Sequence, residues 1–163
     1  MTIKLVTIGV YGFDEEPFFQ ALQEANVDTF CDIRWRRGVR GARYAFANSK
    51  RLQDRLAALG IRYLHRRDLA PSPDVRRRQA EADKRNKIPR RQRKTLGDAF
   101  VAGYREEVLS GFQPRSLLED LPPDARVVAL FCVEGEPAAC HRSLLAQKLQ
   151  EELGLDVEHI VPE

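Results

Sequence analysis

The residues best equipped for chemistry lie in one stretch, Cys132-Val-Glu134-Gly-Glu-Pro137-Ala-Ala-Cys140-His141-Arg142. A nearly all-apolar run, Arg126 to Val133, precedes it, and Leu145, Leu149 and Leu153 follow at four-residue intervals. The stretch therefore reads as a strand end, a short turn and the first turn of a helix. A thiol at that place meets unsatisfied backbone N–H groups and the positive end of the helix dipole, which lowers a cysteine pKa from about 8.5 toward 7 or below. Cys140 is accordingly the candidate nucleophile or redox thiol. Arg142 is a candidate for holding an anionic group, and Glu134 for acting as a base or binding Arg142. A small buried cysteine beside a structural Glu–Arg pair fits the same residues equally well.

On a helix, successive side chains diverge by about 100°, which argues against pairing Cys140 with His141 and makes His65 the better candidate base. The same adjacency argues against a common tetrahedron for Cys132, Cys140 and His141, and paired C-x2-C spacing is missing, so no metal is assigned. Cys31 to Arg37 forms a C-x5-R spacing without the glycines a phosphate loop needs. Neither G-x-x-x-x-G-K nor G-x-G-x-x-G occurs, so no cofactor is read from the chain. Asp32 and Arg34, one residue apart at a strand end, share a face and suit substrate orientation or proton transfer, as they suit satisfying loop backbone. Tyr63 and His65 share a face in the same way. His159 reads as a structural residue of a short last strand.

These groups need elements to position them. Lys4 to Val10, Val27 to Ile33, Ile61 to Leu64, Arg126 to Val133 and Val157 to Val161 read as strands. Between them, Asp14 caps a pattern through Phe18, Leu22 and Ala25; Asn48 to Leu59 is helical and stops at Gly60; Thr95 onward is helical through Leu96, Phe100, Tyr104 and Val108; Cys140 to Leu153 ends at Gly154. Strands alternating with helices give a single α/β domain, a mainly parallel sheet of about five strands with helices on both faces and Arg126 to Val133 at its centre. Ligands of such sheets bind past the carboxyl ends of the strands, where the residues named above fall. Residues 66–94 are proline-containing, basic and poor in apolar side chains, and read as a mobile excursion or a partly helical flap.

With 163 residues and 43% hydrophobic content, the chain can bury one core without disulfides or metal. Three cysteines, with no framework spacing, suit a reducing compartment, so a cytoplasmic protein is expected. No stretch nears the roughly 20 apolar residues of a membrane span. The net charge of +3 conceals local basic fields. Arg34, Arg36, Arg37, Arg40 and Arg43, interleaved with Trp35, Tyr44 and Phe46, resemble a single-stranded nucleic-acid surface, to which Arg76 to Arg78, Arg90, Arg91 and Arg93 would add phosphate contacts. A solvated charged face is the plainer reading.

The window FCVEGEPAACHRSLLAQKLQEELGLDVEHI resembles the C-terminal signature of the domain-of-unknown-function family 488: hydrophobic strand, Cys-x-Glu, a Pro, Cys-His-Arg, apolar helix, x-His-Ile. Thr7-Ile8-Gly9, Asp32-Ile33-Arg34 and Gly60-Ile61-Arg62-Tyr63-Leu64-His65 resemble further family elements in the same order. Arg37-Gly38-Val39-Arg40-Gly41 and Leu69-Ala70-Pro71 depart from the Pro-x-Ser-Arg and Leu-Gly-Gly that members often carry. The resemblance implies an α/β fold and a shared polar site, in which Thr7, Gly9, Tyr63 and His141 join Arg34 and Arg142 as substrate-binding candidates around Cys140, His65, Glu134 and Asp32; it implies no reaction. Three readings stay open: an enzyme acting on a polar or anionic small molecule, a nucleic-acid-binding or nucleic-acid-acting protein, and a non-catalytic scaffold. No oligomeric state is read.

Overall fold

The computed structural model describes residues 3–89 and 94–163, so Arg90, Arg91 and Arg93 lie outside the described residues. Five strands, β1 (Lys4–Ile8), β2 (Thr29–Asp32), β3 (Arg62–His65), β4 (Val127–Phe131) and β5 (Asp156–His159), form one sheet in the order β3-β2-β4-β1-β5. Every pairing is parallel. The strand richest in apolar residues is central, as its composition requires: Val128 and Leu130 enter the core on one face, Ala129 and Phe131 on the other, and all four are fully buried.

Helices α1 (Glu15–Glu24) and α2 (Ser49–Ala58) bury Phe18, Phe19, Leu22, Leu52 and Leu56 against one face. On the other face lie α3 (Pro73–Arg85), α4 (Asp98–Glu107), α5 (Pro114–Asp120) and α6 (His141–Leu153), contributing Val75, Phe100, Tyr104, Leu117, Leu145 and Leu149. Gly154, at φ 66°, ends α6 in the left-handed conformation glycine favours. Asp14 stands at the N-cap of α1, but its carboxylate pairs with Arg43 at 3.0 Å and makes no side-chain cap bond. No helix among the described residues is long and apolar enough to cross a membrane.

Helix α3 occupies the stretch whose low apolar content argued for an excursion or flap. Ser72 caps it by accepting the Val75 N–H, and Pro73 opens its first turn. Val75 anchors its first turn, and the buried Gln79 at its middle ties it to the start of α4, accepting the Gly97 N–H at 2.7 Å and donating to Asp83 at 2.7 Å. One apolar anchor and one satisfied amide thus hold a helix that composition alone cannot recommend. Helix α5 escapes the sequence reading for another reason: at seven residues it completes under two turns, too few for periodicity to register.

Candidate functional site

Alternation along β2 and β4 decides which side chains meet. Cys31, Ile33 and Cys132 face the α3–α6 side, whereas Phe30 and Phe131 face α1 and α2. Register places His65, Asp32, Phe131 and Ile8 in one row across the sheet, so Asp32 and His65 fall on the α1–α2 side. The expected single constellation is therefore divided in two.

On the α1–α2 side, Asp32 and Arg34 form a fully buried pair: Nε and NH2 of Arg34 donate to the two carboxylate oxygens at 2.9 and 2.8 Å, and NH1 donates to the Ala47 carbonyl at 2.9 Å. The guanidinium also lies 4.7 Å from the Phe131 ring centroid. Tyr63 donates its hydroxyl to Asp32 at 2.7 Å, and burial together with that neighbouring carboxylate pushes its pKa up to about 12, which keeps it a donor. His65 Nε2 is 2.9 Å from the Arg34 carbonyl, and His65 is not among the described residues lining the cleft in front of Cys140. Thr7, buried on β1 and by alternation on the other side of the sheet, bonds His159 Nδ1 at 2.6 Å.

On the opposite side, three ligand-type atoms converge. His141 Nδ1 lies 3.5 Å from Cys132 Sγ and 3.8 Å from Cys140 Sγ, and all three residues are buried. Adjacency does not keep Cys140 and His141 apart because Cys140 is outside the helix: it is the N-cap residue of α6, with extended φ −133° and ψ 146°, and only His141 begins the helix. The 100° divergence holds for two helical residues, so both arguments drawn from it, against the thiol–imidazole pair and against a shared tetrahedron, fail here. His141 Nε2 is 3.0 Å from the Ile33 carbonyl, which can only accept, so that nitrogen carries hydrogen and Nδ1 is the one that addresses the sulfurs. The Tyr104 ring packs edge-on against the imidazole at 5.4 Å between centroids.

Burial pushes the Cys140 thiol up, but the Cys132 thiol that donates to it and the positive charges of His141 and Arg142 outweigh burial and hold it well below the ordinary range. Cys132 moves the opposite way, raised by burial and by giving its hydrogen to Cys140. Cys31, buried on β2 away from this cluster, is pushed up to about 12 by desolvation. The three free cysteines thus divide into one whose pKa is held down and two whose pKa values are pushed up.

Arg142 is fully buried, with NH1 on the Glu134 carbonyl at 2.5 Å and NH2 on the Gly135 carbonyl at 3.3 Å, so it ties down the turn that follows β4. The turn presses on Gly9, where an added Cβ would sit 1.8 Å from the Glu134 oxygen and 2.9 Å from Arg142 NH1. Gly9 is thus a close-approach residue. Gly9→Ala is expected to cost about 1–3 kcal/mol, through displacement of this turn, read as a lower urea midpoint with an unchanged slope.

A cleft of about 580 Å³ opens in front of the cluster. Its floor is Cys132, Cys140, His141 and Glu134, one wall is Arg34, Trp35 and Arg36 from the loop after β2, and the other is Arg76, Arg77 and Lys84 of α3. With the Arg34 guanidinium taken up by Asp32, the cationic side chains Arg36, Arg76, Arg77 and Lys84 face two acidic ones, Asp83 and Glu134. Of the loop arginines suggested for nucleic acid, Arg34 and Arg36 line this cleft, Arg34 with its guanidinium held by Asp32; Arg37 bonds Tyr63, and Arg43 pairs with Asp14 and lies over Tyr44. Arg40 is exposed on the same loop. Sequence reasoning missed Cys132 as a site member and α3 as a wall; the signal for the first was its position directly after the central strand.

No curated protein and no solved structure matches the chain. A family model described as "Domain of unknown function DUF488" matches residues 15–149, most of the chain including the whole cluster and both cleft walls. The chain therefore belongs to that family, and the buried Cys–Cys–His group lies within the matched residues.

Proposed function

We infer that this protein is an enzyme that acts on an anionic substrate in the cleft, with Cys140 as the nucleophile and His141 as its proton partner. The observation that carries the reading is the placement of His141 Nδ1 within hydrogen-bonding reach of Cys140 Sγ at the floor of a cation-lined cleft. An imidazolium whose Nε2–H is anchored on Ile33 stabilises a thiolate through Nδ1–H, and returns that proton to a leaving group once the sulfur has attacked. His141 takes the role that sequence spacing suggested for His65. Arg36, Arg76 and Arg77 supply the field that draws in an anion, and Arg142 contributes charge from beneath the turn without meeting the substrate.

Two small alkylating agents test substrate charge and thiol reactivity together. Relative to a free thiol in the same buffer, Cys140 should favour iodoacetate over neutral iodoacetamide by several-fold at low salt, and the preference should fade as ionic strength rises. The double variant Arg76→Glu, Arg77→Glu should reverse it while iodoacetamide labelling holds. An iodoacetate preference no greater than the free thiol's removes the anionic-substrate reading.

A further inference from the structure

We propose that Cys132, Cys140 and His141 form a binding site for a divalent transition metal of zinc type, with its fourth coordination position open to the cleft. With Zn–S bonds of about 2.3 Å and a Zn–N bond of about 2.0–2.1 Å, a tetrahedral centre separates nitrogen from sulfur by about 3.6 Å. The two distances here are 3.5 and 3.8 Å, and all three ligand atoms lie within 4.8 Å of one another. Metal can enter without rebuilding the site.

The surroundings are those of a ligand set. A histidine that binds metal through one ring nitrogen normally donates the other N–H to a carbonyl or carboxylate, which fixes its tautomer; His141 does this with Ile33, and Tyr104 fixes the plane of the ring. In the metal-free protein hydrogens occupy the space between Nδ1 and the two sulfurs; a divalent cation displaces them and takes one lone pair from each of the three atoms. The donor set of two sulfurs and one imidazole suits zinc, and disfavours magnesium or calcium, which take oxygen. Glu134 lines the same cleft but is not among the three grouped ligands, so the fourth position faces solvent or substrate, as in zinc sites that bind a small molecule directly. The metal and the substrate electrophile use the same Cys140 lone pair, so zinc-loaded protein is closed to the thiol chemistry proposed above; the geometry that argues for the metal does not depend on that chemistry.

The test uses the full chain, reduced and stripped of metal under argon, and titrated with Co²⁺. Expected are one equivalent bound, the thiolate-to-cobalt charge-transfer band in the near ultraviolet, the intense visible bands of tetrahedral cobalt, and their loss when Zn²⁺ is added. Cys132→Ser should weaken Co²⁺ binding by more than about tenfold and diminish the charge-transfer band, whereas Cys31→Ala should leave both unchanged. Thermal unfolding of the unmodified chain gives a readout that needs no variant, since one equivalent of Zn²⁺ should raise the midpoint. Weak octahedral bands only, or a charge-transfer band that survives Cys132→Ser in protein with native circular dichroism, overturns the proposal. Iodoacetamide labelling of the metal-free protein is read separately: strong labelling without a cobalt band sinks the metal site alone, and a cobalt band without labelling sinks the nucleophile alone.

Discussion

Iodoacetamide will label Cys140 ahead of the other two cysteines, and His141→Gln will slow that labelling roughly thirtyfold at pH 7, because an ordinary thiol of pKa about 8.5 is only about 3% thiolate there. Glutamine keeps a side-chain amide near Nδ1 without the ability to carry positive charge, so packing under Tyr104 is largely retained while the ion pair is lost. The pH profiles separate the two proteins. In the unmodified chain the depressed Cys140 pKa moves the rise of the rate with pH to the acid side of an ordinary thiol's; in His141→Gln the rise moves back toward that of a normal thiol. Cys31, with its pKa pushed to about 12, should remain unlabelled until the protein unfolds. Mass spectrometry of tryptic peptides after timed quenching reads all three sites at once. Equal labelling of Cys140 and Cys132, or no effect of His141→Gln, contradicts the thiolate assignment.

Asp32→Ala should destabilise the fold by about 3–5 kcal/mol, the cost typical of stranding one member of a buried ion pair. The substitution leaves the Arg34 guanidinium with the Ala47 carbonyl and the Phe131 face, and Tyr63 loses the acceptor of its hydroxyl. Asp32→Asn, which preserves two polar atoms in the same volume, should cost less. Neither variant should change the iodoacetamide rate at Cys140 in the folded protein by more than about threefold, since alternation puts Asp32 on the other side of the sheet from the thiols. Urea unfolding followed by tryptophan fluorescence gives the stability, and labelling in native buffer gives the rate. A tenfold fall in labelling with stability intact would restore Asp32 to the reacting cluster.

The fold was legible because its signals are long and periodic. The apolar run ending at Cys132 and the leucines spaced by four after it announce a central strand and its following helix, and both stand within a residue or two of their expected bounds. The site was legible as a neighbourhood and misread as a geometry. Asp32, Arg34, Tyr63 and His65 do collect at one sheet edge with Cys140 and His141, but a two-residue period assigns them to opposite faces, and a strand-end reading that follows position without parity cannot see this. His141, kept as a substrate-binding candidate, was passed over as the partner of Cys140 on a helical rule that begins one residue too late to apply, because Cys140 is extended. Distinguishing an N-cap from a first helical residue needs the backbone angles, and cap positions are where sequence boundaries are least sharp. The cationic wall had no periodic apolar face to betray it: α3 is held chiefly by Val75 and Gln79, and its remaining residues are those of a solvated surface.

That thin attachment has a practical corollary. The nucleophile proposed here, its imidazole and the turn beneath them are built from residues 131–142, whereas the charges proposed to draw in the substrate come mainly from residues 71–88, docked by one valine and one amide. Reactivity and selectivity are thus housed in separate cassettes of the chain. Exchanging the exposed face of α3 while retaining Val75, Gln79 and the Ser72 cap offers a route to reprogramming which molecules the cleft admits, with the reacting atoms left as they are.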